Sequence, residues 1–236
     1  MDDTELSLNR SHFVDRENNL KYIRILYWLV LIELVVALLW ASFGRAYPDP
    51  FGNGIRKHWW VALICGVIAI ALMFLATFVK KVQKTPISIA LYAVFVLTFG
   101  YALGYLAIVD ESGLVYYALW VLFAVVLAFA IYSSFADYYL RTLESIVCVV
   151  IAAVAVFFIF MLFSDIAPWK LLLVTVPAII LGYYINTSLR TVVRNSLFDH
   201  DEEDPFNGAV RIWLEGCFVF CRMGELTGKQ FSRRYS

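Results

Sequence analysis

Long apolar runs, each close to 20 residues and separated by short polar stretches, organise this chain. A helix needs about 20 mostly apolar residues to cross a bilayer, and six segments meet that length: about 22 to 43, 59 to 79, 87 to 108, 114 to 136, 143 to 163 and 169 to 188. A seventh, near 208 to 224, is shorter and carries Arg211 and Glu215. It reads either as a full span shielded by its neighbours or as a re-entrant hairpin. The connections "VKKVQKTP", "VDESG" and "SDIAP" are short, so successive helices are expected to be antiparallel neighbours with no soluble domain between them. The pattern divides the chain into an N-terminal cytosolic tail (1–21), a seven-helix transmembrane domain (22–225) and a basic C-terminal tail (226–236).

Composition agrees with that pattern. The chain is 62% hydrophobic and 16% charged, far from the balance of a water-soluble domain. Formal net charge is zero, so nothing in the bulk electrostatics points to nucleic acid or to an acidic substrate. The four cysteines, at 65, 148, 217 and 221, fall inside apolar runs and have neither CxxC nor Cys/His spacing. The start, "MDDTELSLNRSHFVDRENN", lacks the early apolar core of a cleavable signal peptide, so the first span is expected to act as the signal anchor.

Charge placement sets the expected orientation. Arg10, Arg16, Lys21 and Arg24 precede the first segment, and Lys80, Lys81 and Lys84 follow the second, whereas the third connection carries only Asp110 and Glu111. By the positive-inside rule the N-terminus is cytosolic. The tail "GKQFSRRYS" is also basic, which favours a cytosolic C-terminus and a re-entrant last segment, against the seventh full span that the segment count suggests. Sequons at Asn9 and Asn186 fall in the cytosolic tail and in a helix, where glycosylation is not expected. Trp59, Trp60 and Trp169 flank helix ends as an interfacial belt.

Polar groups inside apolar runs are the candidates for chemistry. Glu33, in "LYWLVLIELVVALLW", lies about eleven residues into the first span, near mid-bilayer at about 1.5 Å of rise per residue. A carboxylate there faces the bundle interior, holds a proton or lines water; it is either a functional group or a helix-to-helix hydrogen bond. Asp137, in "SSFADYYLRTLE", sits at the cytosolic end of the fourth segment. It serves either an (i, i+4) pair with Arg141 or a site. Asn186 and Glu215 stand on either side of the acidic linker "FDHDEEDPF", and the returning chain can bring them face to face, where an amide donates to a carboxylate or accepts from a carboxyl. The linker itself has acidic composition without calcium-loop spacing and is read as solvated. No Gly-x-Ser-x-Gly, paired Asp or histidine ligand set suggests an enzyme: His12, His58 and His200 lie outside the helices.

Several stretches then resemble the transmembrane Bax inhibitor motif (Lifeguard) proteins, over almost the whole length. "LKYIRILYWLVLIEL" is similar to the family's entry into its first helix, with Glu33 where Gln is usual. "KKVQKTPISIALYAVFVLTFGYALG" is similar to its basic residues, proline and third helix, and "SSFADYY" to a segment ending in an Asp-Phe pair, which places Asp137 on that acid. "GYYINTSLRTVV" resembles the Tyr-Ile-x-Tyr-Asp-Thr-Gln segment, and "AVRIWLEGCFVFCRMGEL" resembles the Ala-x-x-Leu-Tyr-Leu-Asp-x-x-x-x-Phe segment. The resemblance implies an all-α bundle of six helices around a central, shorter seventh, a calcium-permeable leak in an endoplasmic reticulum, Golgi or plasma membrane, and inhibition of cell death. Expected partners are the bilayer, calcium as permeant ion and death-regulating membrane proteins, with no cofactor. The family's proton-sensitive acid pair maps here onto Asn186 and Glu215, so the expected ion path and gate comprise Asn186, Glu215, Glu33 and Asp137, with Glu215 as a calcium contact. One acid has become an amide, the other is longer by a methylene, and Glu33 is an added acid.

Overall fold

A computed structural model describes residues 3–47, 52–79, 86–135, 142–196 and 204–214, with side chains described over 20–47, 52–79, 86–135, 144–187 and 204–214. The fold is all-helical, with no strand among the described residues. In chain order the helices are α1 (Asp3–Ala46), α2 (Asn53–Lys57), α3 (Trp59–Phe78), α4 (Ile87–Val109), α5 (Leu114–Phe135), α6 (Thr142–Phe163), α7 (Pro168–Ser196) and α8 (205–214). Six of them are long and apolar enough to cross a membrane: Leu20–Ala46 within α1, then α3, α4, α5, Glu144–Phe163 of α6 and Pro168–Thr187 of α7.

The apolar runs therefore place the spans to within a few residues, and the differences have local causes. Helix α1 begins at Asp3 rather than near residue 22, because no proline or glycine interrupts the chain until Gly44 and the polar start is compatible with helix. It ends just before the Pro48-Asp-Pro50 run, since a residue preceding proline is driven out of the α region. Asp110 separates α4 from α5. Its carboxylate accepts from the backbone N–H of Val115 at 2.7 Å and of Ser112 at 3.1 Å, and from the Ser112 hydroxyl at 2.5 Å, satisfying donors that a helix start leaves open. Trp59, Trp60 and Trp169 are exposed at helix ends, where a belt residue belongs.

Two helices occupy the interior. None of the residues of α8 is exposed, as a short central helix inside a ring of spans requires. Helix α1 is the most buried of the spans, with 56% of its apolar window covered against 22% for α3 and 17% for α6. Its closest neighbours are α4 and α5. Close approach to α4 depends on a small-residue seam: a Cβ added at Gly104 would lie 2.5 Å from Cβ of Trp40 and 3.3 Å from the Ala41 nitrogen, and one at Gly100 would lie 2.8 Å from Cγ1 of Val36. Glycines four residues apart let two backbones meet where lipid supplies no hydrophobic drive between helices.

Arginines tie off helix ends at both faces of the bundle. On the side of the N-terminal basic cluster, Arg24 Nε donates to the Ser133 carbonyl at 2.7 Å, in the last turn of α5. On the opposite side Arg45 Nη1 donates to the carbonyl of Ala107 at 3.0 Å and Arg56 Nη2 to that of Ile108 at 2.9 Å, in the last turn of α4. Cations at carbonyl-rich helix C-termini are favoured both as donors and by the helix dipole.

Candidate functional site

Two buried polar centres lie along α1, six residues or about 9 Å apart in depth. The first is built on Tyr27. Its hydroxyl donates to Oδ1 of Asn186 on α7 at 2.5 Å, and Nδ2 of the same amide donates to Oγ of Ser145 on α6 at 2.8 Å. Asn186 is 2% exposed and Ser145 is fully buried. Each polar atom of the amide thus has a partner, and the triad clasps three helices from α1, α6 and α7 near the membrane face that Arg24 marks. The ring of Tyr27 packs on Phe129 of α5 with centroids 5.7 Å apart, adding a fourth helix to the junction.

The second centre is Glu33, 1% exposed and thirteen residues into the span that begins at Leu20, about 20 Å along the axis at helical rise. Its Oε2 accepts a short hydrogen bond from the indole Nε1 of Trp213 on α8. Its Oε1 is buried without a hydrogen-bond partner among the described residues. Trp213 is held in turn by Phe99 of α4, with ring centroids 4.9 Å apart, and Phe99 stacks on Phe95 at 5.0 Å. One turn before Glu33, the Leu29 carbonyl accepts from the Tyr92 hydroxyl at 2.7 Å, so α4 grips α1 beside the carboxyl as well.

The start of α8 fixes the register of this second centre. Asp204 accepts from Ser88 Oγ, through Oδ2, and from the Phe206 N–H at 3.3 Å, while its carbonyl accepts from Asn207 N–H at 3.0 Å. An Asp at the cap with Pro205 at the first helical position is a favoured way to open a helix. The reading of the acidic linker as solvated is corrected at this residue: Asp204 is half-buried and docks α8 on the first turn of α4. Phe206 then packs on Tyr92 at 5.4 Å. Gly208 passes α1 where a Cβ would lie 2.7 Å from the Tyr22 hydroxyl and 3.0 Å from Leu26 Cδ2. Only a residue without a side chain lets α8 sit this close to α1 and deliver Trp213 to Glu33.

The expected site residues are distributed as follows. Glu33 and Asn186 are both buried in the bundle but in different centres, and the described partners of Asn186 are Tyr27 and Ser145. Glu215 and Asp137 lie outside the described residues, as do Lys80, Lys81, Lys84 and the C-terminal segment whose course decides between a re-entrant and a full last span. No cluster of three or more His, Cys, Asp or Glu residues able to hold a metal ion occurs among the described residues. Ser145 and Trp213 were missed by sequence reasoning, and Tyr27 entered it only as a residue in register with the family's first helix. A tryptophan in mid-membrane rather than at the belt carries an N–H that must find an acceptor, and that was the one available signal.

The helical bundle, with six spans among the described residues, defines an integral, multi-pass membrane protein. The chain matches the family described as inhibitor of apoptosis-promoting Bax1 over residues 19–232, and it belongs to that Bax inhibitor family. No curated protein and no solved structure matches it.

Proposed function

We propose that the protein is a calcium leak channel or transporter of the Bax inhibitor type, acting in an endoplasmic reticulum, Golgi or plasma membrane to adjust calcium homeostasis and restrain cell death. The observation that carries this reading is Glu33: a carboxyl near mid-membrane inside the bundle, bonded on one oxygen and, among the described residues, without a partner on the other. Such a group is costly in hydrocarbon and is kept where it handles ions or protons, and hard cations take oxygen ligands. Glu215 belongs to the same path in this reading. Asn186 removes one member of a coupled acid pair, so the leak should follow a shallow, single-proton dependence between about pH 6 and 8, which Asn186→Asp would steepen. Calcium entry into proteoliposomes holding a trapped indicator, compared with protein-free vesicles at two pH values, tests the reading. Entry no faster than in empty vesicles would remove it.

A second reading, a non-conducting membrane scaffold that regulates cell death or trafficking through protein partners, draws on the other centre. The amide of Asn186 is spent on Tyr27 and Ser145 as a structural clasp. The same flux assay separates the two, since a scaffold leaves calcium outside.

A further inference from the structure

We propose that Glu33, positioned by Trp213, is a cation-binding site in its own right, at which calcium and a proton compete for one carboxyl group. The inference rests on the calcium reading above and assigns it a place and a mechanism separate from the Asn186 position. Glu33 is almost wholly buried, and its hydrogen bonding among the described residues consists of the single bond from Trp213. A carboxylate so placed, with no ion pair, needs a positive charge brought to it, and the two candidates are a proton and a cation from the path.

The surroundings leave both options open. From α4 the titratable group beside it is Tyr92, whose hydroxyl is committed to the Leu29 carbonyl. From α8 comes the uncharged donor of Trp213; Arg211 lies two residues earlier on the same helix, and the described hydrogen bonding of Glu33 does not include it. No hydrogen bond or ion pair reaches Glu33 from α5 or α7 among the described residues. Among the described residues no basic side chain is bound to the carboxyl.

Trp213 is a positioning residue in this scheme. Its N–H holds Oε2 and leaves Oε1, buried, without a partner among the described residues, and it has no charge with which to compete against an arriving cation. The indole is itself fixed by Phe99 and by the cap that docks α8 through Asp204 and Ser88. A carboxylate attracts a divalent ion twice as strongly as a monovalent one at the same distance, and calcium is a hard cation that takes oxygen ligands; the comparison with potassium is made by the test.

The test uses the full-length protein in liposomes and a lipid-soluble carbodiimide, which adds to a protonated buried carboxyl to leave a stable N-acylurea that peptide mass spectrometry locates. The expected result is modification at Glu33 that declines as calcium rises, with potassium at matched ionic strength giving no such protection. Trp213→Phe should raise the calcium concentration needed for protection, an effect that loss of packing alone does not produce. Absence of modification at Glu33, or modification that calcium does not reduce, overturns the site. Equal protection by potassium overturns its assignment to calcium, and unchanged protection in Trp213→Phe overturns the positioning role. Calcium entry measured in the same vesicles separates this inference from the reading beneath it: entry with an unprotected Glu33 sinks the site alone, while a protected Glu33 without entry sinks the leak.

Discussion

The two polar centres on α1 use the same helix and are buried to the same degree, yet they are finished differently. At Tyr27 the amide of Asn186 is bonded at both polar atoms, across three helices. At Glu33 the described residues supply a single donor to one oxygen of a carboxyl and no partner to the other, which is buried. A satisfied buried network rigidifies and specifies packing, whereas an incompletely satisfied one stores a cost that a bundle keeps only for a use. The difference separates a finished junction from an unfinished one: Asn186 is bonded at both polar atoms between helices, while the acid on α1 has one oxygen without a partner among the described residues.

Mutation can break that division. The largest effect is expected at the clasp. Asn186→Leu removes both hydrogen bonds and should lower stability by about 2–3 kcal/mol, read as a drop in the thermal midpoint in detergent, while leaving calcium entry per folded molecule unchanged. Next comes Trp213→Phe, which strips the carboxyl of its donor and also removes one ring of the indole, and should cost about 1–3 kcal/mol and also alter calcium entry, so that both readouts move together. Tyr27→Phe deletes one hydrogen bond of the clasp and should cost about 1 kcal/mol with no change in flux. If Tyr27→Phe changed flux as strongly as Trp213→Phe, the two centres would not be separable.

The smallest effect belongs to a half-buried carboxyl outside both centres. Burial opposes ionisation of Asp110, but the hydrogen bonds it accepts from the Ser112 hydroxyl and from the backbone N–H groups of Val115, Ser112 and Leu114 outweigh it and hold the group below the usual carboxylate range. A folded-state value that is depressed gives stability that is present above the unfolded value and lost as pH falls through the folded one. Asp110→Ala should therefore cost less than about 1 kcal/mol at neutral pH, given the cap's partial exposure to solvent. The deficit should vanish in acid, as chemical or thermal melts at neutral and acidic pH would reveal.

Much of the fold was legible because the apolar runs fix the spans directly: α4 and α5 were placed within a residue at each end by run length and by the turn "VDESG". The interior orientation of Glu33 was legible for the same reason, since a carboxylate cannot face lipid. The clasp was not. Tyr27, Ser145 and Asn186 are separated by more than 40 residues along the chain at every step, and no periodicity within one helix reports which residue of another it will meet. Asp204 lay within reach, as an Asp-Pro step opening a helix, but its neighbours Asp201, Glu202 and Glu203 made the stretch read as a solvated acidic run. Resemblance pointed to Asn186 as half of a gate with Glu215, which lies outside the described residues; its bonds to Tyr27 and Ser145 could not be read from a motif, because side-chain partners are decided by packing.

The central claim is that Glu33, rather than the Asn186 clasp, handles the ion. Glu33→Gln tests it with the least disturbance, because the amide keeps the shape and an oxygen that can accept from Trp213 while losing the charge. Calcium entry into proteoliposomes of this variant, normalised to folded protein and compared with wild type, is the measurement. The account predicts a marked fall in entry with the thermal midpoint preserved or raised, since an unpaired buried acid is replaced by a neutral group. Entry at the wild-type rate in Glu33→Gln would contradict it.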